Sequence, residues 1–148
     1  MKLPRNWFLF IMLPLAAVVG LRHFSISYNP IWLFSKYRLY RKWIIAQSKL
    51  ETANWTSKLY KEQNNAFGMK CIVSRKTTST GCGATGFAIY RSVGDSLADY
   101  LYWLKLREMP TNINSAAGYF LALKDRGYFQ ERYSDYLAAV LKYLNEKK

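Results

Sequence analysis

Leu33, Tyr37, Tyr40, Ile44, Gln47 and Glu51 recur at spacings of three and four. That spacing puts them on one face of a helix. Asn29-Pro30 opens it, Asn as N-cap and Pro at the first helical position. The stripe is apolar and aromatic until its inner end, where Gln47 and Glu51 stand one turn apart. Burial against apolar neighbours disfavours the charged form of a carboxylate. A carboxyl that keeps its proton near neutral pH can give it to a leaving group. The plainer alternative is a surface acid closing a basic helix, since Lys36, Arg38, Arg41 and Lys42 lie mostly off the stripe.

Charge sharpens that choice. The 148 residues carry 22 Lys and Arg against 9 Asp and Glu, a net charge of +13. Such a balance favours an anionic partner: nucleic acid, a membrane surface, or the acidic polymers of a cell wall. Aromatic residues make up 17%, and 12 of them are tyrosine, which suits both cores and sugar-binding clefts. One histidine, His23, and two cysteines cannot assemble an ordinary four-ligand zinc site, so neither a metal nor a cofactor is expected. Gly81, Gly83 and Gly86 form no phosphate-binding loop, because no Walker or dinucleotide pattern precedes a helix.

The length fits one domain with a real core. Ahead of it, Trp7–Gly20 is an unbroken apolar run of 14 residues behind basic Lys2 and Arg5. A spanning helix usually needs about 20 residues. The run therefore reads as a signal-peptide core or a short retained anchor. The anchor is favoured, Gly20 being a poorer cleavage residue than alanine. This divides the chain into an N-terminal signal or membrane anchor at 1–22, a connector at 23–29 and one domain at 30–148. The expected location is membrane-anchored or exported, facing the periplasm or cell wall.

Within the domain, Thr56–Gln63 reads as a short helix. Cys71–Tyr90 is rich in threonine, valine, isoleucine and glycine, and reads as a β-hairpin or small sheet. Ser92-Val93-Gly94-Asp95 is a capping-box variant that starts a helix ending before Pro110. Asn114 or Ser115 caps the next helix, and Gly127 stops it. A last helix runs from about Tyr133 to Leu144, with Tyr133, Tyr136, Leu137, Val140, Leu141 and Leu144 inward. Cys71 and Cys82 bracket the hairpin, and in an exported protein a disulfide between them is expected.

Two sets of residues carry a family likeness. One is Ala46-Gln47, Leu50-Glu51-Thr52, Ser57, Leu59, Asn64-Asn65, Phe67-Gly68 and Lys70. The other is Phe87, Tyr90, Ser92, Ala116-Ala117, Gly127-Tyr128 and Tyr133. In order and spacing, over roughly Arg41 to Leu144, the chain resembles the peptidoglycan glucosaminidases of bacteria and phages, within the lysozyme-like superfamily. The resemblance implies a mainly helical, lysozyme-like fold with one β-hairpin. It implies hydrolysis of β-1,4 bonds in peptidoglycan, with Glu51 as catalytic acid and Tyr128 near the reacting centre. Gln47, Asn64, Asn65, Phe67, Tyr90 and Tyr133 become candidate contacts to the glycan.

One departure stands out. Glycosidases usually employ two carboxylates. Many of these relatives take the second from the hairpin, but Cys71–Tyr90 contains no Asp or Glu. Either the substrate's own 2-acetamido group serves as nucleophile, or a base such as Asp95 or Asp99 activates water. A third possibility is that the fold only binds or scaffolds cell wall without cleaving it. A basic, membrane-associated nucleic-acid binder ranks last, because it explains neither Glu51 nor the Asn64–Lys70 turn.

Overall fold

The computed structural model describes residues 30–146. The Trp7–Gly20 run, the connector and the Asn29 cap lie outside the described residues. Among those described, no helix is long and apolar enough to cross a membrane.

The long first helix expected from the stripe is broken. Helix α1 spans Pro30–Lys36, a 3-10 turn covers Arg38–Tyr40, and α2 spans Arg41–Glu51. The stripe nevertheless stays intact: Leu33, Tyr37, Tyr40, Ile44 and Gln47 are all buried. In a 3-10 turn, residues three apart eclipse one another. The break therefore turns Tyr37 and Tyr40 inward together. Tyr40 repays that placement at both ends. Its ring stacks on Trp43 at 5.3 Å. Its hydroxyl donates to the Pro110 carbonyl at 2.7 Å and accepts from the Ile113 amide at 3.0 Å.

Helix α2 ends abruptly after Glu51. Ala53, Asn54 and Trp55 all adopt positive φ. Three consecutive left-handed residues cannot continue a right-handed helix. Thr52 steadies this corner: its hydroxyl donates to the Ser48 carbonyl at 2.6 Å and accepts from the Trp55 amide at 3.1 Å. The short α3 (Lys58–Gln63) follows, with Ser57 as its N-cap.

The hairpin shrinks to two antiparallel pairs between β1 (Gly81–Cys82) and β2 (Ala88–Ile89), plus an isolated bridge from Lys70 to Phe87. This is the small-sheet end of the expectation for Cys71–Tyr90. Residues 71–80 supply no buried apolar alternation to hold a longer ladder, and Val73 is fully exposed. A Cys71–Cys82 disulfide, with Cα atoms 5.6 Å apart, and an ion pair described below fasten this loop instead.

Three helices complete the domain: α4 (Val93–Leu106), α5 (Ala116–Asp125) and α6 (Tyr133–Leu144). Ser92 and Ser115 are the N-caps, each accepting from the amide three residues on. Gly127 has φ of +73°, a left-handed conformation suited to the end of α5. Helix α6 packs on α2 and α5, and α4 on α1. Tyr100, Leu101, Leu104, Phe120, Leu123 and Val140 fill the centre, all essentially inaccessible to solvent. The architecture is thus mainly helical with one very small sheet.

Candidate active site

The end of α2, the Phe67–Lys70 turn, the end of α4 and the start of α6 surround a cleft of about 750 Å³. Glu51, Gly68, Trp103, Tyr128, Glu131 and Tyr136 line it. Helix packing puts Glu51 there. The stripe that buries α2 against α6 carries its last residue to the cleft wall, and Lys49 beside it pairs with Glu146 beyond α6 at 2.6 Å.

Glu51 has two unlike oxygens. Oε1 accepts a hydrogen bond from the Tyr136 hydroxyl at 2.6 Å. Oε2 faces Gly68, where a Cβ atom would stand only 3.1 Å from it. Gly68 also has φ of +61°, so a larger residue there would be strained and would crowd the acid. Among the described residues, no Lys or Arg forms an ion pair with Glu51. Burial pushes its carboxyl up to about 7, against the opposing pull of the Tyr136 hydrogen bond; the Glu131 charge adds a smaller upward push. A carboxyl poised at that value exists in both protonation states near neutral pH.

Tyr136 was legible in sequence only as an inward residue of the last helix. It is in fact the partner of the acid. Burial and the Glu51 charge raise its phenol far above the ordinary range, so it stays a neutral donor. A signal was available: a buried phenol needs a partner, and Tyr136 stands on the apolar stripe of α6. Glu131, in the loop before α6, was also missed.

The residues expected to touch glycan separate sharply. Tyr128 lines the cleft, and its hydroxyl donates to the Phe67 carbonyl at 2.5 Å. Burial, with a further push from the Glu51 charge, holds its phenol well above the usual value and hence neutral. Phe67 borders the cleft, its ring stacked on the core ring of Tyr100 at 4.3 Å. The others are structural.

Gln47 is fully buried, its carbonyl oxygen accepting from Tyr100 at 2.7 Å. Asn65, also fully buried, donates to the Met69 and Ala88 carbonyls and accepts from the Met69 amide, so it staples the turn to β2. Asn64 ends α3 in the left-handed conformation and donates to the Tyr90 and Arg91 carbonyls. The Tyr90 hydroxyl is committed to Asp99 at 2.7 Å. The Tyr133 hydroxyl donates to the Ala117 carbonyl at 2.8 Å. None of these five lines the cleft. Each has a polar atom bonded to the backbone or core around it, although the Gln47 amide nitrogen is buried without a hydrogen-bond partner among the described residues.

The two acids considered as a second carboxylate are also elsewhere. Asp99 is buried and bonded to Arg75 at 2.6 Å. Asp95 stands in the first turn of α4, its carboxylate accepting from the hydroxyl of the Ser92 cap at 3.0 Å. The acids that do share the cleft with Glu51 are Glu131 and Asp135. Asp135 is already paired with Arg132 at 2.9 Å.

A family model described as glucosaminidase, mannosyl-glycoprotein endo-beta-N-acetylglucosaminidase, matches residues 32–146. The chain belongs to the glucosaminidase family. The match covers α1 through α6 and so takes in the whole cleft. Membership of the glucosaminidase family supports a function of the peptidoglycan-hydrolase type. No curated protein and no solved structure matches the chain.

Proposed function

We propose that this protein hydrolyses β-1,4 glycosidic bonds in the glycan strands of peptidoglycan, on the N-acetylglucosamine side, with Glu51 as general acid. The observation that carries the proposal is the Glu51 carboxyl itself. It lines an open cleft, has no cationic partner among the described residues, is hydrogen-bonded by a neutral phenol, and is pushed up to about 7 by burial. Positioned proton donors of this kind contribute about 10²–10⁴-fold to rate. Phe67, Trp103 and Tyr128 border the cleft, with Tyr128 the least buried of the three and the one best placed to meet a sugar ring.

The second group in this proposal is the substrate's 2-acetamido oxygen. It attacks the anomeric carbon while Glu51 protonates the departing oxygen, and water then opens the cyclic intermediate, Glu51 serving as base. Two displacements at one carbon retain configuration. Tyr128 orients the acetamido group, exchanging its bond to the Phe67 carbonyl for one to substrate. Glu131 motivates a second reading. It shares the cleft, and its charge is felt by Glu51. Acting as base toward water, it would invert the anomeric configuration.

Purified peptidoglycan incubated with the protein tests both. New reducing ends at N-acetylglucosamine support the proposal. Ends at N-acetylmuramic acid, or no products at all, reject it. Proton NMR of fresh product separates the two routes, a retained anomer favouring acetamido participation and an inverted one favouring Glu131. We place the protein at the outer face of a membrane or beyond it, held near anionic wall polymers or lipids by its charge and by Trp7–Gly20.

A further inference from the structure

A second cavity, of about 280 Å³, lies between α1, α2 and α4. Its walls include Ile44, Val93, Leu97 and Leu101, and no acidic residue lines it. Three of the seven large apolar side chains exposed among the described residues, Phe34, Ile45 and Trp55, gather at this one groove. Exposed apolar residues scattered singly need no explanation, but a cluster around a groove does.

Two cations complete the lining: Arg38 and Arg41, both exposed and neither ion-paired among the described residues. No acid can neutralise them locally in sequence, since the first acidic residue of the whole chain is Glu51. An apolar slot with a cationic rim fits one kind of ligand, an amphiphile with an anionic head. Nine residues, 21–29, separate the Trp7–Gly20 run from the start of α1, so a surface that the apolar run meets is near this face along the chain.

We propose that this face docks on an anionic phospholipid bilayer. An acyl chain enters the groove between Phe34, Ile45 and Trp55, and the headgroup phosphate lies on Arg38 and Arg41. Basic residues attract such a surface, and tryptophan favours the boundary between headgroup and acyl chain.

The test uses the full chain with vesicles of phosphatidylcholine, with and without phosphatidylglycerol, carrying lipids brominated along the acyl chain. Bromine quenches tryptophan within contact range. With phosphatidylglycerol present, the quenched emission should fall in W55F. It should also fall in R38E/R41E, while both variants remain on the vesicles through Trp7–Gly20 and melt as the parent does. I45E serves as a second variant, with the same loss expected. Equal quenching in the parent and W55F would overturn the proposal, as would equal Trp55 quenching without phosphatidylglycerol. A dimer in detergent, abolished by I45E and unaccompanied by Trp55 quenching, would assign the groove to a second copy and also overturn it.

Discussion

Glu51 and Asp99 are two buried or half-buried carboxyls on helices of one small domain, and each accepts a hydrogen bond from a tyrosine. Asp99 is the more buried of the two, and they differ most in their charged neighbours. Asp99 meets both terminal guanidinium nitrogens of Arg75, at 2.6 and 3.1 Å, whereas Glu51 forms no ion pair among the described residues. Removing charge from water costs several kcal/mol per ion unless a partner offsets it. Asp99 has that partner and serves as a clasp between the 71–80 loop and α4. Glu51 lacks one, and its carboxyl rises to about 7. Burial alone therefore does not make an acid reactive; burial without a counter-ion does. A phenol is a suitable companion because it orients the carboxyl without neutralising it.

The largest effect should come from removing the unpaired acid. Glu51→Gln is expected to lower peptidoglycan hydrolysis by about 10²–10⁴-fold while leaving the unfolding midpoint unchanged. Near-parental turnover would end the contrast, because Glu51 would then be no more chemical than Asp99. The converse substitution, Asp99→Ala, strands the Arg75 charge. It should cost about 3–5 kcal/mol in urea unfolding, the usual penalty for breaking a buried pair from one side. A loss near zero would mean that Arg75 is satisfied without Asp99.

Reducing Cys71–Cys82 tests the same loop from its other fastening. The bridge spans 11 positions and should contribute about 2–3 kcal/mol, measured by unfolding with and without reductant. If reduction and Asp99→Ala together cost much less than their sum, the two fasteners share one task.

The subtlest effects are shifts in pH dependence. With Glu51 as acid, kcat/KM should be level below its titration near pH 7 and fall about tenfold per unit above it. The Tyr136 hydrogen bond favours the charged form, so Tyr136→Phe should move that descent to higher pH. Glu131 disfavours the charged form, so Glu131→Gln should move it to lower pH. Shifts in the same direction would contradict the assigned environment.

Most elements could be read from the chain because each carries a local cause. Ser57, Ser92 and Ser115 cap helices, Gly127 stops one, and the final helix begins at Tyr133 as its stripe predicts. The break at Tyr37 was not legible, because spacings of three and four survive it unchanged. At the site, Glu51 was visible as a polar end to an apolar stripe. Gln47, Asn65 and Tyr90, expected as glycan contacts, do not line the cleft, and a motif gives residue type and spacing but not direction. Their side chains turn into the protein, where backbone and core groups need them. Tyr136 and Glu131 come from 80 or more positions downstream of Glu51. Only the packing of α6 on α2 brings that region beside the acid.

If Glu51 is the proton donor proposed above, the unequal surroundings of its two oxygens would set a direction of attack. Oε1 is occupied as an acceptor, so the transferable hydrogen belongs on Oε2, which looks out over the bare backbone of Gly68. A glycosidic oxygen collecting that hydrogen must arrive from the Gly68 side. The strand would then be threaded in one orientation, its scissile linkage resting on a residue with no side chain to push it away.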